Sequence, residues 1–212
     1  MSQVSALSLV FLLFGFIYGI NGHGMMLEPP NRSSLWRFDE TSVKNYDDNA
    51  NFCGGFSYQW ELNDGKCGVC GDPVNEPHPQ RNENTGIFGQ GKVVRTYESG
   101  SVINISILIT ANHLGDFSYS LCKLEDPNAP ESGEECFQPL KFANGSDIFQ
   151  IYPLDFHVEN QVVLPENITC DRCVLRWHYH TGNSWGVCED GSGADGCGPQ
   201  EVFRSCSDIA IV

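Results

Sequence analysis

Ten cysteines constrain this chain more than any other feature: Cys53, Cys67, Cys70, Cys122, Cys136, Cys170, Cys173, Cys188, Cys197 and Cys206. All of them follow an apolar amino-terminal run, Ala6 to Ile20, whose length suits a signal-peptide core better than a membrane span of about 20 residues. An even count of cysteines behind such a run points to an oxidising compartment and predicts up to five disulfides, their pairing left open. The two Cys-x-x-Cys pairs, Cys67/Cys70 and Cys170/Cys173, raise the rival of a zinc ribbon. They lie far beyond zinc-ribbon spacing, and an oxidising compartment favours disulfides. Residues 31 to 92 are rich in Gly, Asn, Asp, Pro and Cys without sustained periodicity, which reads as a long, disulfide-tied insertion.

Gly22 is a small residue at the end of the apolar run, so residues 1–22 are expected to be a secretory signal peptide and 23–212 one mature domain. Two features depart from the usual signal: no Lys or Arg precedes the run, and Ile20 stands where a small residue is preferred. No second stretch is long enough to span a bilayer, and the mature chain is expected to be a soluble, extracellular monomer. Four sequons, at Asn31, Asn104, Asn144 and Asn167, are glycosylation candidates. The formal charge of −15, from 27 acidic and 12 basic residues without a basic cluster, argues against nucleic acid and anionic membrane as partners. A neutral polysaccharide is compatible with it.

From Lys92 onward the pattern becomes that of strands. Val93–Tyr97 precedes a turn, then Ile103, Ile105, Ile107 and Ile109 share one face of a strand with Asn104 and Ser106 on the other. Phe117, Tyr119 and Leu121 alternate next, and further strands are expected at 149–152, 156–158, 161–164 and 173–179. In the last, Leu175, Trp177 and Tyr179 are assigned to the core and Arg176, His178 and His180 to a polar outer face. Residues 181–206 read as a Gly- and Cys-rich loop before a short tail. A short helix through Leu35, Trp36 and Phe38, capped by Ser33 or Ser34, is the main helical expectation. Many short strands and no long amphipathic helix make the fold class all-β, a β-sandwich. Among the aromatics of the long insertion (Trp36, Tyr46, Phe56, Tyr58, Trp60), Tyr46 has the most polar neighbours and is the first candidate for an exposed sugar-stacking surface.

The chemistry centres on His23. A histidine at a mature amino terminus offers its α-amine and ring Nδ1 to one metal, and a second imidazole would complete a planar set of three nitrogens, a donor set that selects Cu(II). His113, in Ala111-Asn112-His113 at the end of the isoleucine strand, lies on a loop at a sheet edge where a ligand can be presented rigidly, whereas His178 and His180, also tempting as ligands, read better as the polar face of their strand. His23-Gly24, Ala111-Asn112-His113, Trp177 with Gly182-Asn183-Ser184-Trp185-Gly186, and the closing Gly198-Pro199-Gln200-Glu201-Val202-Phe203-Arg204-Ser205-Cys206-Ser207-Asp208-Ile209 together resemble the lytic polysaccharide monooxygenases, most of all auxiliary activity family 15. The resemblance covers essentially the whole mature chain.

That resemblance implies an immunoglobulin-like or fibronectin-like sandwich and one copper ion in a histidine brace, held by the α-amine and Nδ1 of His23 and Nε2 of His113. It places Phe203 at the axial position, where Tyr stands in some relatives, and Ala111 as the small residue on the other axial side. Glu201 becomes the candidate for hydrogen bonding to bound oxygen, with Gln200 its competitor. The implied activity is oxidative cleavage of β-1,4 linkages in insoluble chitin or cellulose by hydroxylation at C1 or C4, with O2 or hydrogen peroxide and an external electron donor. Hydrolysis would need two carboxylates flanking the bond, and no motif nominates them. The alternative function is a non-catalytic copper- or chitin-binding protein that uses the same brace. A purely structural secreted domain leaves the joint placement of His23 and His113 without a reason.

Overall fold

The structure is a computed structural model in which residues 23–212 are described; the signal-peptide reading of residues 1–22 lies outside them. Eleven strands and one short helix follow in order: β1 His23–Glu28, α1 Phe56–Trp60, β2 Arg95–Tyr97, β3 Val102–Ala111, β4 Asp116–Lys123, β5 Gln138–Phe142, β6 Phe149–Gln150, β7 His157–Val163, β8 Cys170–His180, β9 Trp185–Val187, β10 Gly193–Asp195 and β11 Val202–Ile211. The principal sheet runs β1-β3-β7-β5-β4-β8-β11-β2, with β6 beside β4, and curls on itself. β5 makes the fold two-layered, because it pairs with β7 through Lys141 and Phe142 and with β4 through Gln138, Pro139 and Leu140. β9 and β10 form a separate hairpin.

Alternation explains the core. Ile103, Ile105, Ile107 and Ile109 of β3 are buried against Phe117, Tyr119, Leu121, Leu175, Trp177 and Tyr179 of the facing layer, as expected from their period-two spacing. Each buried isoleucine contributes about 1.5–3 kcal/mol, and a one-residue slip would turn all four to solvent, so the register of β3 is strongly specified. The result is an all-β, immunoglobulin-like sandwich.

All ten cysteines are paired: Cys53–Cys67, Cys70–Cys206, Cys122–Cys136, Cys170–Cys173 and Cys188–Cys197. The zinc-ribbon rival falls with this, since Cys67 and Cys70 bond to different partners. The Cys70–Cys206 bridge fastens the long 31–92 segment to β11.

Four sequence expectations need correction. The segments 156–158 and 161–164 are one strand, β7, because Asn160 between them is buried and its Oδ1 accepts a hydrogen bond from Tyr119 Oη at 2.7 Å. Residues 202–206 belong to β11 rather than a loop. Ser205, Ser207 and Asp208 break its apolar alternation yet are buried; Ser207 Oγ donates toward the carbonyls of Pro29 and Pro30, and Asp208 is forked by Arg32. The outer face of β8 is only partly solvated: His180 stays part-exposed, but Arg176 is buried beneath the Val69 carbonyl and Glu134, and Phe137 lies under its guanidinium. Leu35–Arg37 is a single 3-10 turn without a side-chain cap, since Ser33 Oγ is turned to Asn82 and Ser34 Oγ accepts from Asn31.

Candidate metal centre and polysaccharide surface

Backbone register brings the two histidines to one end of the sandwich. β1 pairs antiparallel with β3, His23 opposite Ala111 and Gly24 opposite Ile109, with a register shift between them. The Gly24 N–H donates to the Asn49 carbonyl at 3.0 Å, Asn49 Nδ2 donates to Thr110 Oγ1 at 2.8 Å, and Thr110 Oγ1 lies 3.3 Å from the His23 carbonyl. Gly24 is tightly enclosed: a Cβ there would stand 3.0 Å from Cη2 of the buried Trp177 and 3.3 Å from the Leu108 carbonyl.

His113 follows two residues after Ala111 and is buried, 6% exposed. Asn112 anchors the approach through Nδ2, which donates to the carbonyls of Tyr152 and Asp155, both at 2.9 Å. Leu114 and Gly115 take left-handed backbone, φ 56° and 87°, to turn the chain into β4. His113 is held from both sides: its N–H donates to Tyr179 Oη at 3.0 Å, and its carbonyl accepts from the Gly182 N–H at 2.9 Å. Burial pushes the Tyr179 phenol up to about 12, which keeps it neutral at this anchor.

Phe203 is fully buried on β11, its ring 6.3 Å from the His23 ring; Phe52, 6.4 Å from His23, closes the same side. Neither phenyl ring offers an oxygen. Glu201 is buried, and its carboxylate lies 3.9 Å from His113 Nδ1, beyond a direct hydrogen bond. Gln200 is committed elsewhere. Its Nε2 donates to the carbonyls of Ser184 and Cys197 and its Oε1 accepts from the Ser184 N–H, so it braces the 184–197 loop. Burial, then Arg204 and Arg176, holds the His178 imidazole well below its usual range, and it accepts from Arg204 Nε at 3.2 Å. His180 lies 3.7 Å from Asp116.

Among the described residues no group of three or more His, Cys, Asp and Glu side chains forms a metal cage. A brace needs none: two imidazoles and one backbone amine suffice, and nitrogen donors beside phenyl walls suit copper. The residues therefore fit the metal, provided the chain is cut before His23 so that its amine is free.

Around this centre, Tyr46 is 75% exposed, its ring edge-on to Trp36 at 5.4 Å, three residues from Asn49. Trp185, not singled out as a surface residue from sequence, is 68% exposed. Its only signal there is a large apolar residue set among Gly, Asn and Ser. The glycosylation candidates divide: Asn104, Asn144 and Asn167 are exposed, whereas Asn31 is withdrawn, fully buried with Nδ2 donating to the Met26 carbonyl and to Ser34 Oγ.

Residues 23–209 match the family model described as lytic polysaccharide mono-oxygenase, cellulose-degrading. Among solved structures, a family AA15 lytic polysaccharide monooxygenase from Thermobia domestica, in the Cu(I) state, shares 42% identity over 89% of this chain and 98% of its own, with a TM-score of 0.86. Two bacterial lytic polysaccharide monooxygenases, from Streptomyces lividans and Micromonospora aurantiaca, are 15% and 12% identical, each over 89% of this chain and 99% of their own, with TM-scores of 0.47 and 0.48. No curated protein matches the chain significantly.

Proposed function

The chain belongs to the lytic polysaccharide monooxygenases, auxiliary activity family 15, which makes it a copper-dependent enzyme acting on polysaccharide, and on that footing we propose that it is secreted and oxidatively cleaves β-1,4 linkages of chitin, or of cellulose, at C1 or C4. The observation that carries this reading is the β1–β3 register, with His23 opposite Ala111 and His113 two residues beyond. In it, the α-amine and Nδ1 of His23 and Nε2 of His113 would hold one copper ion. Bound there, copper supplies the one-electron redox chemistry by which O2 or hydrogen peroxide, with an external reductant, hydroxylates a strong sugar C–H bond.

The chain's own residues do the rest. Phe203 and Phe52 wall one side of His23 with hydrocarbon, so neither would offer an oxygen donor to the metal there. Ala111, paired with His23 in the β1–β3 register, brings only a methyl group beside it. Glu201 faces Nδ1 of His113, which favours the tautomer with its proton there and leaves Nε2 for the metal. The same buried carboxylate can accept a hydrogen bond from a reacting species at this end of the sandwich. Exposed Tyr46 contributes to the surface that meets the polymer.

The test is mass spectrometry of products from insoluble chitin and, separately, cellulose, using copper-loaded protein with a verified His23 amino terminus, with and without ascorbate. Oxidised oligosaccharides that require reductant support the proposal and name the polymer. Unmodified oligosaccharides would indicate hydrolysis; no products from either polymer, despite tight copper binding, would favour a metal-binding protein instead.

A further inference from the structure

We propose that Asn144 is a modification site: it carries an N-linked glycan whose first N-acetylhexosamine is seated in a cavity beside the turn after β5, against Phe142 and Phe149. The inference rests on the secretion reading above, since the sugar donor, an oligosaccharide on a lipid diphosphate, belongs to the secretory pathway of a eukaryotic cell. In the transfer, Asn144 Nδ2 forms a bond to the anomeric carbon, the bond from that carbon to the diphosphate breaks, and the amide gives up one proton.

A sequon alone would mean little, because the chain has four and only their surroundings tell them apart. What distinguishes Asn144 is the turn that presents it and the cavity beside it. Ala143, Asn144 and Gly145 form a three-residue loop: the Phe142 N–H donates to the Ser146 carbonyl at 2.9 Å and the Gly145 N–H to the Phe142 carbonyl at 2.8 Å, with Gly145 left-handed at φ 85°. Asn144 Oδ1 accepts from the Ser146 N–H at 2.9 Å, a local bond that fixes the amide without using Nδ2, the atom that would carry the sugar. Nothing lies within 4 Å of a Cβ added at Gly145, so the tip of the turn is open to a bulky group. By contrast, Asn31 is buried, and Asn104 Oδ1 accepts from Gln161 Nε2 across the β3–β7 pair.

The cavity defines what the sugar meets. It has a volume of about 440 Å³ and is lined, besides Asn144, by the apolar Phe142 and Phe149 and by the polar Glu159 and Gln161. That mixture suits an uncharged N-acetylhexosamine, whose C–H face packs on phenyl while its hydroxyls and acetamide bond to an amide and a carboxylate. Phe149 is only half-buried although its ring lies 6.4 Å from that of Phe117 and 6.1 Å from that of Phe142, so part of it is left for another group to cover. A free sugar would hold to one phenyl ring weakly. Tethered at Asn144 the same contact is intramolecular: a short tether raises the effective concentration to the millimolar range, and little translational freedom is left to lose. Asn104, which also lines the cavity, precedes Ala111 by seven residues of β3, roughly 23 Å at strand rise, so a sugar seated here leaves the copper centre clear.

The test expresses the full chain, with its own residues 1–22, in a eukaryotic secretory host, with N104Q and N167Q in place so that Asn144 holds the glycan. Glycopeptide mass spectrometry of the secreted protein should find Asn144 occupied. An amidase that removes the whole glycan should lower Tm by about 2–4 °C, and N144Q should match that loss, whereas an endoglycosidase that leaves only the first sugar should keep Tm unchanged. In F149A, whatever its own Tm, removing the glycan should make no further difference. The Cu(II) electron paramagnetic resonance spectrum should be the same throughout. Secreted protein with a bare Asn144 would overturn the proposal. So would a Tm indifferent to the glycan, a loss already complete on trimming to the first sugar, or an equal loss in F149A, each of which would leave the sugar in solvent. Protein retained in the cell with residues 1–22 still attached would instead overturn the secretion reading.

Discussion

Substituting Gly24 by alanine tests whether core packing sets the position of the amino-terminal ligand. The new Cβ would stand 3.0 Å from Trp177 Cη2, a few tenths of an ångström inside ordinary contact. Trp177 cannot retreat: it is fully buried, with Phe117 edge-on at 5.0 Å and Tyr179 stacked at 5.7 Å. Strand β1 must therefore move, and His23 is the adjoining residue. Overpacking of this kind costs about 1–3 kcal/mol, which for a domain of this size lowers Tm by about 2–12 °C. Displacing the support of a metal ligand typically weakens affinity by about 10- to 100-fold. The assay is thermal unfolding of the apo protein beside copper titration and the Cu(II) electron paramagnetic resonance spectrum. Met25→Ala is the control, since Met25 is buried and its truncation leaves a cavity that destabilises by about 2–5 kcal/mol without pushing the strand. G24A should change the copper spectrum and M25A should not. A G24A protein with wild-type Tm and spectrum would refute the idea that Trp177 positions β1.

Removing disulfides should show a loop-length ranking: reducing Cys70–Cys206, which spans 136 residues, to a serine pair should cost about 2–5 kcal/mol, against about 2 kcal/mol or less for Cys170–Cys173, which spans 3. Equal losses in denaturant titrations would contradict it. Tyr119→Phe strips Asn160 Oδ1 of its buried donor and should destabilise by about 1–3 kcal/mol in urea unfolding; a neutral result would mean that water replaces the phenol. Asp72 gives a pH signature. Burial raises its carboxyl from 3.8 to about 6, so the folded chain holds this proton more tightly than the unfolded one. The contribution, about 3 kcal/mol, is present below the unfolded value and lost as pH rises from about 4 to about 6. Melting curves of wild type and D72N should therefore diverge in slope across that window, and a constant offset would reject the assignment.

What sequence made legible follows from what each element depends on. β3 could be read because its burial is one-sided and its isoleucines alternate without exception. β7 and β11 could not be read whole because their buried polar residues are satisfied by partners far along the chain: Asn160 by Tyr119, Asp208 by Arg32. β5 was hidden by Pro139, which stands where a strand crosses between layers. The polar face of β8 was misjudged for a related reason, since alternation reports a difference between faces and not what covers each one. His23 and His113 were legible as chemistry, from residue type and the end of a strand. Their supports were not: Asn49, Tyr179 Oη and the Gly182 N–H act through long-range backbone contacts that leave no local pattern.

The register of β1 links these observations. From Met26 to Gly24 the strand is locked to β3, and slipping it would oppose the burial of Met25 and Met26 and the packing of the isoleucine face beneath. Between Gly24 and His23 the register shifts, because Ile109 pairs with one and Ala111 with the other, leaving Thr110 as the extra residue. That bulge re-aims the last residue of a strand whose remainder is fixed by the core. Thr110 then has a use in the gap it creates: its hydroxyl stands between the His23 carbonyl and Asn49 Nδ2. A ligand that had to sit in regular register would point where the pleat sends it, whereas one placed just beyond a bulge can be set by a hydrogen bond and a tryptophan. The rigid part of the sandwich supplies precision, and the irregular residue at its end supplies direction.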